Sequence, residues 1–248
     1  MKSLQSELCD SQAARGPLAV EAGEHFRQIA RNHALWRHPF VKLCRAGRLT
    51  LPQVRVLGAQ MYQFCHAFPC FLASALATCR ADDARLVIGE NLWEELGEGD
   101  SERAHSALFR RFTRAIGMTD EQLAAVRVEP ETKALIDAYR NLSDAFGALG
   151  ILGALCYASE GIVAALYSHI QKGLRQAGPF DAGALEFFEV HVHVDGGHAD
   201  KLESVLMPML RTPEDVRRVE LAIRIALDAR CCFFDGVLSA AAGARDRT

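Results

Sequence analysis

The chain has 248 residues, half of them apolar, and a formal net charge of −3 at pH 7. At that length a globular chain buries about 70% of its unfolded surface, and no stretch reads as a linker. Residues 1–248 are therefore expected to form one helical domain with a flexible segment at about 1–17. The balanced charge argues against a nucleic-acid partner, which would call for a basic excess; the clustered Arg110, Arg111 and Arg114 fit the solvated side of a helix.

The opening residues lack an apolar signal core, and the eight cysteines form no C-x-x-C pair, the closest grouping being the vicinal Cys231 and Cys232. A reducing cytoplasm fits best, with most cysteines buried as small hydrophobes. Thr50 offers an N-cap, with Pro52 early in the first turn, to an apolar-rich helix reaching about Cys79. Pro69 is expected to kink that helix or split it in two. Between 100 and 117, His105, Leu108, Phe109, Phe112 and Ile116 follow the i, i+3, i+4, i+7 spacing of a core-facing stripe, with Gly117 as its stop. Thr119 and Gln122 have capping-box spacing, and Thr212-Pro213 followed by Glu214 and Asp215 opens another helix.

Residues 145–170 carry one formal charge, Glu160, in a run long enough to span a bilayer. Its Ala and Gly content and its carboxylate favour a buried central helix, with no membrane partner. The C-terminal helix, running to Gly236 and beyond, is a candidate homodimer interface. Alternating strand patterns are absent except at 190–194, and one isolated strand would have nothing to pair with. The expected fold class is all-α.

The densest chemistry lies at 187–198, which holds His191, His193, Asp195 and His198. Nitrogen and carboxylate ligands at that density suit a first-row transition metal. As a strand, His191, His193 and Asp195 would share a face, which resembles the signature of metallo-β-lactamase-type hydrolases. That signature also wants a histidine directly after the aspartate, where this chain has Gly196. As a helix, His191, Asp195 and His198 stand at i, i+4 and i+7, within about 60° on one stripe, and His193 turns away. The stripe continues through Phe187, Phe188, Leu202 and Met209, so in a helical chain the second register prevails. Gly196 and Gly197 inside it cost about 1 kcal/mol each relative to Ala, which marks a turn able to bulge or unwind as a metal binds.

Three more residues join this group in a helical bundle. Glu160 is a lone carboxylate in the most apolar helix, where an unpaired charge costs several kcal/mol unless a cation, such as a metal, holds it. A tyrosine or arginine partner would serve equally. His105 on its core-facing stripe fits a satisfied core histidine or a ligand. Glu94 and Glu95 precede a glycine-rich turn and fit a solvated end or a ligand. Jointly, inward carboxylates and histidines on facing helices are how dinuclear iron or manganese sites are built.

With this set the chain resembles the heme-oxygenase-like diiron oxidases, relatives of the TenA and PqqC folds, from about His38 to Met209. His38-Pro39-Phe40 and 47–50 resemble that family's opening helix and turn, Tyr62 through Pro69 its second helix, and 91–97 with His105 its first ligand pair. The resemblance implies a heme-oxygenase-like (TenA/PqqC-like) bundle whose two iron ions, with manganese as the alternative, are held by Glu95, His105, Glu160, His191, Asp195 and His198. Glu95 is preferred to Glu94 because family members carry an Asp-Glu pair whose second member binds. The resemblance further implies a biosynthetic oxygenase that uses O2 through a peroxo-diiron intermediate, with room for an external electron donor.

Two other branches of the superfold remain as alternatives. TenA-type thiamin hydrolases use a cysteine with a glutamate, for which Cys156 and Glu160 stand one turn apart; heme oxygenases use one proximal histidine, for which His33 or His38 would serve. Substrates in the resembling family range from amines and guanidines to amino acids and fatty acids. The branch that makes para-aminobenzoate from its own tyrosine needs tyrosines and a lysine where this chain has Val41, Ile170, Ser159 and Phe187, which argues against that activity. Phe68, Phe71, Phe187 and Phe188 fit ordinary core rather than a fatty-acid tunnel. A small amine- or amino-acid-like substrate is expected, although no inward arginine or lysine can be assigned to a substrate carboxylate.

Overall fold

The computed structural model describes residues 17–193 and 197–245, and every regular element among them is helical. The chain runs through α1 (Pro17–Asn32), a 3-10 turn (Ala34–Arg37), α2 (Pro39–Arg45), α3 (Leu51–Thr78), α4 (Asp82–Glu95), α5 (His105–Ala115) and α6 (Asp120–Ala124). It continues through α7 (Pro130–Leu155), a π turn (Cys156–Glu160), α8 (Gly161–Ala177), α9 (Ala182–His193), α10 (Gly197–Leu206), a 3-10 turn (Met207–Met209) and α11 (Pro213–Arg245). The expected flexible segment at 1–17 lies, apart from its last residue, outside the described residues.

Local chemistry sets the helix starts. Thr50 and Gln53 form a reciprocal capping box at α3, and Thr119 and Gln122 form another at α6, each satisfying backbone N–H groups that a first turn leaves open. The split expected at Pro69 does not occur: α3 is one helix from Leu51 to Thr78. Phe64, Phe68, Phe71 and Leu72 around the proline are all buried, and that burial outweighs the lost rung of the ladder.

The core lies between α3, α7 and α11. Phe64, Phe71 and Tyr139 pack ring to ring, Phe71 stacking on Tyr139 at 5.2 Å. Val219 of α11 seats against Gly153 of α7, where a Cβ would stand 2.6 Å from the valine Cγ1. The stretch Pro130–Ala177 is long and apolar enough to cross a membrane, but 67% of its most apolar window is packed inside the bundle. It is not a straight rod. Gly147 has φ 65° and ψ −158°, a conformation glycine alone adopts easily, and the π turn interrupts the ladder just before α8.

The N-terminal elements are fastened along α11 by three histidine–carboxylate contacts: His25–Glu220 at 2.9 Å, His33–Asp228 at 3.1 Å and His38–Asp235 at 3.0 Å. The carboxylates recur about every two helical turns on one side of α11, so α1 and the segment after it lie alongside that helix.

Candidate metal centre

The C-terminal end of α4 carries Glu94 and Glu95, and the next turns bring the chain straight back to His105 at the start of α5. Gly97, with φ 86°, makes that return: a Cβ there would lie 2.2 Å from the Asp100 carbonyl oxygen. Arg103 closes the loop on Glu98 at 2.9 Å. Glu95 is 5% exposed, and its Oε2 stands 2.9 Å from His105 Nδ1. That ring nitrogen is buried and has no aligned hydrogen bond.

His191, in the last turn of α9, completes the group. Ligand atoms of Glu95, His105 and His191 lie within 4.8 Å of one another, and the two imidazoles meet with centroids 4.6 Å apart. His191 Nδ1 donates to the Phe187 carbonyl at 2.6 Å, which leaves Nε2 as the nitrogen free to ligate. Burial and the neighbouring His105 push the His191 pKa down to about 4, so the ring is neutral, as a metal ligand must be. Burial alone would raise the Glu95 carboxyl, but His105, with His191 and His198 beyond, outweighs it and holds the pKa below the ordinary value. Burial lowers His105 in turn, and Glu95 and Glu160 outweigh that and raise it.

A second group lies beside the first. The π turn ends at Glu160, and the Tyr139 hydroxyl bonds the Ser159 hydroxyl at 2.7 Å, fixing the turn that presents the carboxylate. Such turns recur at functional sites because they re-aim one side chain out of helical register. Glu160 Oε2 stands 3.6 Å from Nδ1 of His198, whose Nε2 bonds Glu94. The contact with Glu160, opposed by burial and aided by Glu94, raises the His198 pKa to about 9. Glu94 is also steadied by Lys201 at 3.5 Å. One open cleft is lined by Glu94, His105, Glu160, His191 and His198 together.

The structure thus gathers five of the six expected ligands, Glu95, His105, Glu160, His191 and His198, from five elements. Asp195 lies outside the described residues. His191 stands in α9 and His198 in α10, and the residues that would join the two into one continuous ligand helix, 194–196, lie outside the described residues. Glu94 is neither a solvated end nor a member of the Glu95 group; it holds His198. Sequence reasoning missed this role, and it missed Arg230, which lines a cavity beside Glu95, His105 and His191.

The donors suit iron. They are imidazole nitrogens and carboxylate oxygens without thiolate, one imidazole is oriented by a carbonyl, and a buried nitrogen and a carboxylate touch without hydrogen-bond alignment. The two alternative chemistries lack their parts. Burial pushes the Cys156 thiol well above its usual pKa and its Sγ is engaged with the Ala199 carbonyl, both of which disfavour a thiolate. His33 and His38 each accept a backbone N–H at Nδ1 and hold a carboxylate at Nε2, leaving no nitrogen for heme.

A helical bundle with imidazole nitrogens and carboxylates gathered inside it carries the donor set of an iron-binding class of helical proteins. The family model described as iron-containing redox enzyme matches residues 55–231, and the chain belongs to that family. A 4-aminobenzoate synthase of Nitrosomonas europaea is 28% identical over 216 residues, covering 84% of this chain and 87% of its own. Two solved structures share the fold. A CADD-like protein of unknown function from Nostoc punctiforme aligns with TM-score 0.74 at 16% identity over 92% of this chain and 98% of its own. A domain of unknown function with a heme oxygenase-like fold from Shewanella denitrificans aligns with TM-score 0.68 at 18% identity over 90% of each chain.

Proposed function

We propose that the protein is an O2-activating diiron oxidase of a small amine- or amino-acid-like metabolite. The observation that carries the reading is the close-set group of Glu95, His105 and His191 with Glu160 and His198 beside it. Iron bound there supplies the electrons that reduce O2. Glu95, His105, Glu160, His191 and His198 would hold the two ions, with Asp195 as the sixth ligand. Glu94 acts through His198, holding its ring as second carboxylates do around metal-bound histidines. Phe187 does the same for His191 through its carbonyl.

The Nitrosomonas europaea relative is named for 4-aminobenzoate, an aromatic amino acid, which falls in the proposed substrate class. This chain departs from the route that consumes its own tyrosine. Val41, Ser159, Ile170 and Phe187 are all buried in the core, and none of them supplies the required phenol or amine. An external substrate is therefore proposed.

Oxygen uptake by the iron-loaded protein tests the reading. Amines and amino acids, aromatic ones included, are screened for acceleration of O2 consumption. Acceleration by at least one of them, abolished by Glu160→Ala, is the expected result. O2 consumption no faster than that of free iron under every condition would overturn the proposal.

A further inference from the structure

Asn91 is 2% exposed, and both polar atoms of its side chain, Nδ2 and Oδ1, are buried without a hydrogen-bond partner. Among the described residues it is the one side chain with two such atoms. A buried amide left this way is costly, and a leucine of nearly the same size would carry no such cost. An unpaired polar group in the interior calls for a reason of its own.

The place of the amide says what it serves. Asn91 stands on α4 one turn before Glu94 and Glu95. At about 100° per residue its side chain leaves the helix about 40° from Glu95 and about 60° from Glu94, between the two. Side chains four apart on a helix are neighbours, with Cβ atoms about 5–6 Å apart. Ile88, the buried neighbour in the other direction along α4, is apolar, so the polar neighbours on this stripe lie toward the site. There Glu95 meets His105 through Oε2, and Glu94 meets His198 and Lys201. Asn91 lines neither the open cleft nor the narrow cavity beside it. It therefore does not touch a substrate held there and acts through the ligands.

We propose that Asn91 is a positioning residue of the metal centre, its amide hydrogen-bonding the Glu95 carboxylate, directly or through one water, when the site is loaded. The bond fixes the direction of that ligand. Ligating carboxylates are held by such outer partners, whose loss costs about 10–100-fold in metal affinity. This role rests on Glu95 being a metal ligand.

Asn91→Leu nearly keeps the size of the side chain and removes the amide, and it is tested in the full chain. Iron(II) affinity is measured anaerobically by competition with a chromophoric chelator, and the stability of the chelator-treated protein by urea denaturation. The variant is expected to bind iron at least about ten-fold more weakly than wild type. Its metal-free form is expected to be as stable as wild type or more so, because an unpaired buried amide has gone. Cobalt(II) loaded in place of iron reports the ligand geometry, and its visible absorption is expected to shift in the variant. Iron affinity and cobalt(II) spectrum both unchanged would overturn the proposal. A weaker affinity that comes with a matching loss of metal-free stability assigns Asn91 to the fold and overturns it as well. Should Asn91→Leu fail to fold by circular dichroism, Asn91→Ser decides on iron affinity and the cobalt(II) spectrum. No iron uptake by wild type sinks the metal reading and this role together; wild-type uptake with an unaffected variant sinks this role alone.

Discussion

His105 Nδ1 lies 2.9 Å from Glu95 Oε2, both buried, without the alignment of a hydrogen bond. A nitrogen and a carboxylate brought together in this way serve a third, positively charged group better than each other. Glu95→Gln keeps the volume and removes the anionic donor. Iron content by plasma mass spectrometry is expected to fall to about half the wild-type value or less, with the far-ultraviolet circular dichroism unchanged. Full iron content in Glu95→Gln would remove Glu95 from the site.

The metal-free protein should lose stability on both sides of neutrality. His198, raised to about 9 in the fold, contributes stability that is complete below the ordinary histidine value of about 6.5 and fades as pH climbs through about 9. His191, depressed to about 4, contributes stability present above about 6.5 and lost as pH falls through about 4. Thermal unfolding in chelator from pH 4 to pH 10 checks both limbs. His198→Gln should flatten the alkaline limb; an unchanged alkaline limb in that variant would contradict the assignment.

The π turn that aims Glu160 is held by the Tyr139–Ser159 hydrogen bond. Tyr139→Phe leaves the ring packing and deletes that bond, at an expected cost of about 1 kcal/mol in urea denaturation. Because Glu160 follows Ser159 directly, iron affinity should weaken as well. A loss of stability with wild-type iron affinity would mean that the hydrogen bond supports the fold alone.

Gly153→Ala places a methyl group 2.6 Å from Val219 Cγ1, forcing α7 and α11 apart. The expected destabilisation is about 1–3 kcal/mol, measured by chemical denaturation. Val219→Ala in the same chain opens the space, so the double variant should be more stable than the sum of the two single losses.

Much of this architecture was legible because its causes are local. The Thr119–Gln122 box and the Thr50 cap lie within one turn of chain, and the His105 stripe ending at Gly117 shows in spacing alone. Pro69 does not split α3, because its penalty is local while the compensation, burial of Phe64, Phe68 and Phe71 against distant helices, is not. The ligand stretch 187–198 reads as one helix because the stripe is periodic, and its middle, 194–196, lies outside the described residues. Glu94 and Glu95 are neighbours in sequence, and only the fold reveals that one meets His105 and the other His198. Arg230 did leave a signal: an arginine amid Ile223, Leu227, Phe234 and Val237 occupies a position where every other residue of the stripe is apolar.

Anaerobic titration with Fe(II) followed by O2, monitored by absorbance, tests the diiron centre most directly. Two irons per chain and a transient visible band after O2 are predicted, with uptake reduced in His191→Ala and Glu160→Ala. No iron uptake by wild type, or uptake unchanged in both variants, would contradict it.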